Sequence, residues 1–148
     1  MNSKKRGFCA IGVLNGKCEQ NIGTLWRSAH FLDAQYIFTI GKRYKKQATD
    51  TSDAAKHIPL FEYEDFDEFI LKSPKNAEIV LIEQSDRHNL GTFVHPENVI
   101  YVLGAEDSGI PEEYFKGNIV LNIPNNGISS FNVAVSGSLV LFDRYIKR

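Results

Sequence analysis

The chain has 148 residues, 43% hydrophobic and 24% charged, a length that favours one domain and a composition that buries a core and excludes wholesale disorder. Seventeen Lys plus Arg against eighteen Asp plus Glu give a net charge of -1, so any contact with nucleic acid must come from a local patch rather than from the whole molecule. No apolar run approaches the ~18 residues of a membrane span, Cys9 and Cys18 are too few for a disulfide framework, and the four histidines lie too far apart for metal-ligand spacing. The expectation is a cytoplasmic protein with reduced thiols, no metal and no membrane partner.

In chain order, the basic Lys4, Lys5 and Arg6 precede a short apolar run, residues 8–14, that leads into a polar turn and reads as a first strand rather than a leader. Residues 21–32 then read as a helix, with Leu25, Ala29 and Leu32 at helical spacing, and 36–40 as a second strand stopped by Gly41. Two short helices are expected over 51–56 and 65–71, the second with Phe66, Phe69 and Ile70 inward and Pro74 beyond it. Three β-branched runs, 79–82, 99–103 and 119–123, read as buried parallel strands. A long helix over 131–145 carries Val135, Leu139, Phe142 and Ile146 on one face, with Val133, Val140 and Leu141 off it. Apolar on more than one side and carrying Ala134, Ser136, Gly137 and Ser138, it suggests burial against both its own sheet and a second subunit. The alternation predicts an α/β domain: a mainly parallel sheet covered by helices.

In such a sheet, ligands bind at the carboxyl ends of the strands. Two loops there are unusual. One, residues 103–110, holds Gly104 and Gly109, which let backbone approach a flat ligand. The other, 123–132, opens with Pro124 and leads into the last helix, which Ser129 or Ser130 could cap. Neither is a dinucleotide fingerprint or a P-loop, which disfavours a phosphate-rich nucleotide and leaves a nucleoside-like cofactor held through backbone. A third constellation, Asn21 to Arg27, opens the first helix; by spacing alone Trp26 and Arg27 are helix packing beside a solvated charge.

Together the three segments resemble the SpoU-type, TrmH-like branch of the SPOUT RNA methyltransferases, in the same order and over nearly the whole chain. Asn21, Gly23 and Arg27 match its N-x-G-x-x-x-R motif, Leu103, Gly104, Glu106 and Gly109 its L-G-x-E-x-x-G loop, and Ile123, Pro124, Ser130, Asn132 and Val133 its final motif. Ala105 and Asp107 stand where many members have asparagine and glycine, and Ser129 where many have glutamate. The resemblance implies methyl transfer from S-adenosyl-L-methionine to a ribose 2′-hydroxyl of RNA, transfer RNA ahead of ribosomal RNA, by a homodimer. It also implies a C-terminal trefoil knot, a topology that general rules of chain crossing would not suggest. The rival from another class is a catalytically silent RNA-binding dimer that keeps the knot. The expected domain is single, residues 1–148, with no separate RNA-binding extension.

The resemblance places the adenosyl group near Ile82, Gly104, Ile123 and Ser130. It places Arg27 beside the target nucleotide; Glu106 and Asn21 join it as candidates at the catalytic site, Asn21, like Asn132, as support that satisfies backbone and loop groups. A guanidinium, with a pKa above ~12, acts as a phosphate clamp and charge stabiliser rather than a base. Glu106 has two readings, an organiser of the loop and substrate or a cap on a short helix near Pro111, while Asn132 is expected to support the dimer or the cofactor loop. For RNA contact the charge is concentrated at Arg27 and in Lys42, Arg43, Lys45 and Lys46, interleaved with Tyr44.

Overall fold

The computed structural model describes residues 7–45 and 54–147. Seven strands form one parallel sheet: β1 (Cys9–Leu14), β2 (Tyr36–Ile40), β3 (Leu60–Tyr63), β4 (Glu78–Ile82), β5 (His88–Asn89), β6 (Val99–Gly104) and β7 (Ile119–Asn122). Their spatial order is β3-β2-β1-β6-β4-β7-β5. The chain order therefore reverses between β1 and β6, whose register pairs Cys9 with Val99 and Leu14 with Gly104. Every residue of β1 and β2 is buried, as continuous β-branched and aromatic runs require when helices cover both faces.

The alternation of side chains across the sheet divides the core in two. Ile11, Val13, Tyr101 and Leu103 point to one face and meet Leu25 and Trp26 of helix α1 (Glu19–Phe31) and Val140 and Leu141 of α4 (Val133–Lys147). Ala10, Phe38, Ile100 and Val102 point to the other, where they meet Phe66 and Phe69 of α3 (Phe66–Lys72). A four-residue helix, α2 (Ala54–His57), is tied to α1 by the Trp26 Nε1 bond to the Ile58 carbonyl at 3.0 Å. Helices α1 and α4 approach closely because Gly137 has no side chain. A Cβ there would stand 2.5 Å from Leu25 Cδ1 and 3.0 Å from Leu103 Cδ1.

Three sequence expectations are corrected. Ile70 faces outward, since the inward turn of α3 is filled by Phe66 and Phe69, and Asp65 caps that helix by accepting from the Glu68 amide at 2.8 Å. Strand β3 and the two-residue β5 escaped the sequence reading. The first is a half-exposed edge with no buried residue and the second is too short to show a period. The α4 cap is Asn132 rather than Ser129 or Ser130, its Oδ1 accepting from the amides of Ala134 at 2.9 Å and Val135 at 3.2 Å. Of the helix expected over 51–56, residues 51–53 lie outside the described residues. Among the described residues no helix is long and apolar enough to cross a membrane.

The end of α4 is fixed by a polar chain. Buried His95 meets Tyr101 Oη through Nδ1 at 2.5 Å and Asp143 Oδ2 through Nε2 at 2.7 Å. Lys147 bonds Asp143 at 2.8 Å and the carbonyls of Leu90 and Phe93. Burial lowers the His95 pKa, outweighing Asp143, whose charge Lys147 shares. A neutral ring with its proton on Nε2 satisfies both partners, the Tyr101 hydroxyl donating to Nδ1. The unfolded chain therefore takes up this proton first as pH falls, so the stabilisation is complete above about pH 6.5 and is lost below it. Thermal midpoints across pH 5 to 8 should fall on the acid side in the wild type and fall less in His95→Gln; equal slopes would exclude this role.

Candidate functional site

The loops at the carboxyl ends of β4, β6 and β7 converge on one recess of about 600 Å³, counting its open mouth. Ile82, Leu103, Ile123, Phe131 and Val133 give it apolar walls, and Asn122, Asn125, Ser130 and Ser136 give it neutral polar groups. Its charged side chains are Glu83 and Glu106. Among the described residues the lining carries carboxylates and no cation, which opposes phosphate and suits a ligand bearing positive charge. The main chain of 124–131 enters no backbone–backbone hydrogen bond among the described residues; the Gly127 and Ile128 amides donate to the Asn125 and Asn126 side chains at 2.7 and 3.2 Å, which leaves the carbonyls of the segment as groups a ligand can meet.

The β6 loop is held from several sides. Gly109 adopts φ +62°, and its amide donates to the Ala105 carbonyl at 2.8 Å. Glu83 Oε2 accepts from the Ile110 amide at 2.9 Å, and a Cβ at Gly109 would stand 2.6 Å from that same oxygen. Glu106 Oε1 accepts from Asn132 Nδ2 at 2.9 Å, and the same nitrogen donates to Asn21 Oδ1 at 3.1 Å. Asn132 thus joins the start of α1, the β6 loop and the start of α4, residues separated by 26 and 111 positions in the chain. Glu106 does not cap the 3₁₀ turn Glu112–Tyr114, which has no side-chain cap at Pro111; the loop-organising alternative is what the geometry retains.

Beside the recess lies a second cavity lined by Val13, Lys17, Cys18, Asn21 and Asp107, and the two share Ala105, Glu106 and Val133. The four residues expected around the adenosyl group, Ile82, Gly104, Ile123 and Ser130, all line the recess. Arg27 does not. It is exposed on α1, next to Ser28, whose hydroxyl lies 2.7 Å from that of Ser138 on α4.

The basic loop after β2 differs from the expected open patch. Arg43 makes a bidentate pair with Asp107, at 2.7 and 3.0 Å, and Lys42 meets Glu62 at 2.6 Å. Tyr44 packs inward against the core rather than outward toward a base. Lys45 is exposed, and Lys46 lies outside the described residues. Arg43 also holds the Asp107 carboxyl down to about 2. No signal in the sequence paired residues 64 apart. Among the described residues no cluster of His, Cys, Asp or Glu could hold a metal ion.

A parallel α/β sheet with a recess among the loops after β4, β6 and β7 has the layout of α/β domains that bind ligands at the carboxyl ends of their strands. The sequence matches the model of the SpoU rRNA Methylase family over residues 10–142, and the chain belongs to that family, the SpoU-type branch of the SPOUT proteins. A protein solved for insight into 2-OH methylation of C/U34 on tRNA superposes with a TM-score of 0.82 at 21% identity, covering 95% of both chains. The SpoU methyltransferase AviRb from Streptomyces viridochromogenes gives 0.81 at 17% identity, over 95% of this chain and 60% of that one. An AdoMet-bound rRNA methyltransferase from Sinorhizobium meliloti gives 0.81 at 20% identity, over 99% and 61%. The chain thus spans about three fifths of the length of the last two. At these identities the likenesses establish the fold. A sequence search of curated proteins finds no match.

Proposed function

We propose that the protein is an S-adenosyl-L-methionine-dependent RNA methyltransferase that modifies a ribose 2′-hydroxyl, in transfer RNA ahead of ribosomal RNA, in the cytoplasm. The observation that carries this reading is the recess itself. It is built from the family's loops, apolar enough for an adenine, and lined by carboxylates that suit a sulfonium and an ammonium group. The donor supplies an already activated methyl group, so the protein's task is to hold the acceptor oxygen in line and stabilise its developing charge. Ile82, Gly104, Ile123 and Ser130 would hold the adenosyl end. Glu106, on the wall shared by the two cavities, orders the loop through Asn132, and Asn21 anchors the same link. Arg27, set on the exposed side of α1, clamps phosphate beside the acceptor. Lys45 adds charge along the RNA path. Calorimetric titration with S-adenosyl-L-methionine in the absence of RNA should show one site per chain; absence of binding would overturn the reading.

A trefoil knot and a homodimer belong to the same proposal. The knot reading is supported by the convergence of the loops after β4, β6 and β7 on one recess, with Lys147 at the end of α4 seated on the carbonyls of residues 90–93. The dimer reading is supported by α4: Val135, Leu139, Phe142 and Ile146 are 45%, 37%, 53% and 60% exposed, an apolar strip that the fold leaves uncovered. Phe142→Glu should shift the sedimenting mass from dimer to monomer with the fold retained by circular dichroism. A wild-type monomer, or a variant still dimeric, would reject the α4 interface.

A further inference from the structure

We infer that Arg43 and Asp107 form a positioning pair that sets the β6 loop, and through it Glu106, for cofactor and acceptor. The inference rests on the methyltransferase reading for its consequence, but not for its geometry. Arg43 is fixed before it meets Asp107: its backbone amide donates to the Gly16 carbonyl at 2.8 Å and its Nε donates to the Asn15 carbonyl at 2.9 Å. Asn15 itself holds a left-handed φ of +57° and donates its amide to the Ile40 carbonyl at 2.7 Å. The loops after β1 and β2 are thereby laced into one unit, from which the guanidinium reaches the β6 loop by its two remaining nitrogens, at 2.7 and 3.0 Å.

This gives the β6 loop a third brace besides Glu83 and Asn132. Glu83 holds Ile110, Asn132 holds Glu106, and Arg43 holds Asp107. Glu106, itself one of the braced residues, and Ala105 just before it line both the recess and the neighbouring cavity. The third brace explains why an aspartate can stand at 107, where the family pattern often has glycine. Its carboxylate is consumed by a cation that the preceding fold already positions. The arrangement also removes Arg43 from the set of cations open to an RNA phosphate, since its guanidinium is directed at protein acceptors.

The two roles make opposite forecasts for the single variants Arg43→Ala and Asp107→Ala. A positioning pair predicts the same phenotype from both. Each weakens S-adenosyl-L-methionine binding roughly three- to fivefold, the size an exposed bidentate pair supports. Each lowers kcat with KM for RNA and the salt dependence of RNA affinity unchanged. The double alanine variant should be no worse than either single, and the exchanged pair Arg43→Asp with Asp107→Arg should recover part of the loss. Amide hydrogen exchange at Gly109 and Ile110, read on the full chain without ligand, should quicken in both singles. If instead Arg43 is an RNA ligand, Arg43→Ala alone weakens RNA binding and flattens its salt dependence while Asp107→Ala tightens it; that result, or unchanged exchange at both amides, overturns the inference. Should the wild type bind no S-adenosyl-L-methionine, the methyltransferase reading falls, and the exchange measurement still decides the positioning pair.

Discussion

Arg27→Lys is expected to bind RNA about as tightly as the wild type while turnover at saturating RNA falls by roughly 10²–10³, the cost of removing a charge-stabilising donor. Arg27 lines no part of the recess; it lies on the exposed side of α1, about 9 Å along the axis from Asn21 at 1.5 Å per residue. A lysine at this position retains the charge that attracts RNA but loses the planar fork that fixes a phosphate in two directions. Affinity is set by the first property and alignment of the acceptor oxygen by the second. S-adenosyl-L-methionine affinity should be unchanged in this variant. Near-normal turnover at saturating RNA would refute the role.

Asn132→Ala is expected to act on stability and cofactor binding together, because one side chain serves two tasks. Its Oδ1 satisfies two amides at the start of α4, and loss of such a cap costs about 1 kcal/mol, a fall of about 3 °C in Tm for a chain of this size. Its Nδ2 ties Asn21 to Glu106, so truncation also frees the β6 loop and should weaken S-adenosyl-L-methionine binding by roughly tenfold, the scale of coupling within a hydrogen-bond network. Asn132→Asp separates the two effects. It keeps the capping oxygen, and so most of the stability, but sets a carboxylate against Glu106 and should lose cofactor affinity as the alanine does. Unchanged Tm and unchanged affinity in Asn132→Ala would remove the residue from both tasks.

The central strands were legible because burial on both faces writes itself as unbroken apolar runs: 36–40 is the strand as expected, and 8–14, 79–82, 99–103 and 119–123 differ from the observed strands by a residue at an end. Helix α4 was legible as apolar on more than one side, and its strip at Val135, Leu139, Phe142 and Ile146 is the uncovered one. Strand β3 was hidden because its edge residues Leu60–Tyr63 show neither alternation nor any buried position, Phe61 and Glu62 being exposed and Leu60 and Tyr63 half-buried. At the site, the loops could be found from Gly104, Gly109 and Pro124. Their fastening could not, because Arg43 and Asp107, and Asn132 with Asn21, meet only through the sheet order. The same blindness made a four-cation patch of residues 42–46, where Lys42 and Arg43 in fact face Glu62 and Asp107. Charge runs read along the chain overstate what is offered to a partner, since acidic residues far away in sequence can neutralise them.

The most direct test of the central claim is transfer of a labelled methyl group from S-adenosyl-L-methionine into separated transfer and ribosomal RNA from cells lacking this protein, with the modified nucleoside identified by mass spectrometry. The account predicts label in a 2′-O-methyl nucleoside of transfer RNA, incorporated roughly 10²–10³-fold more slowly at saturating RNA by Arg27→Lys. Label on a base, or no label in either fraction from a protein that binds the cofactor, would contradict it, the second result favouring a silent RNA-binding dimer.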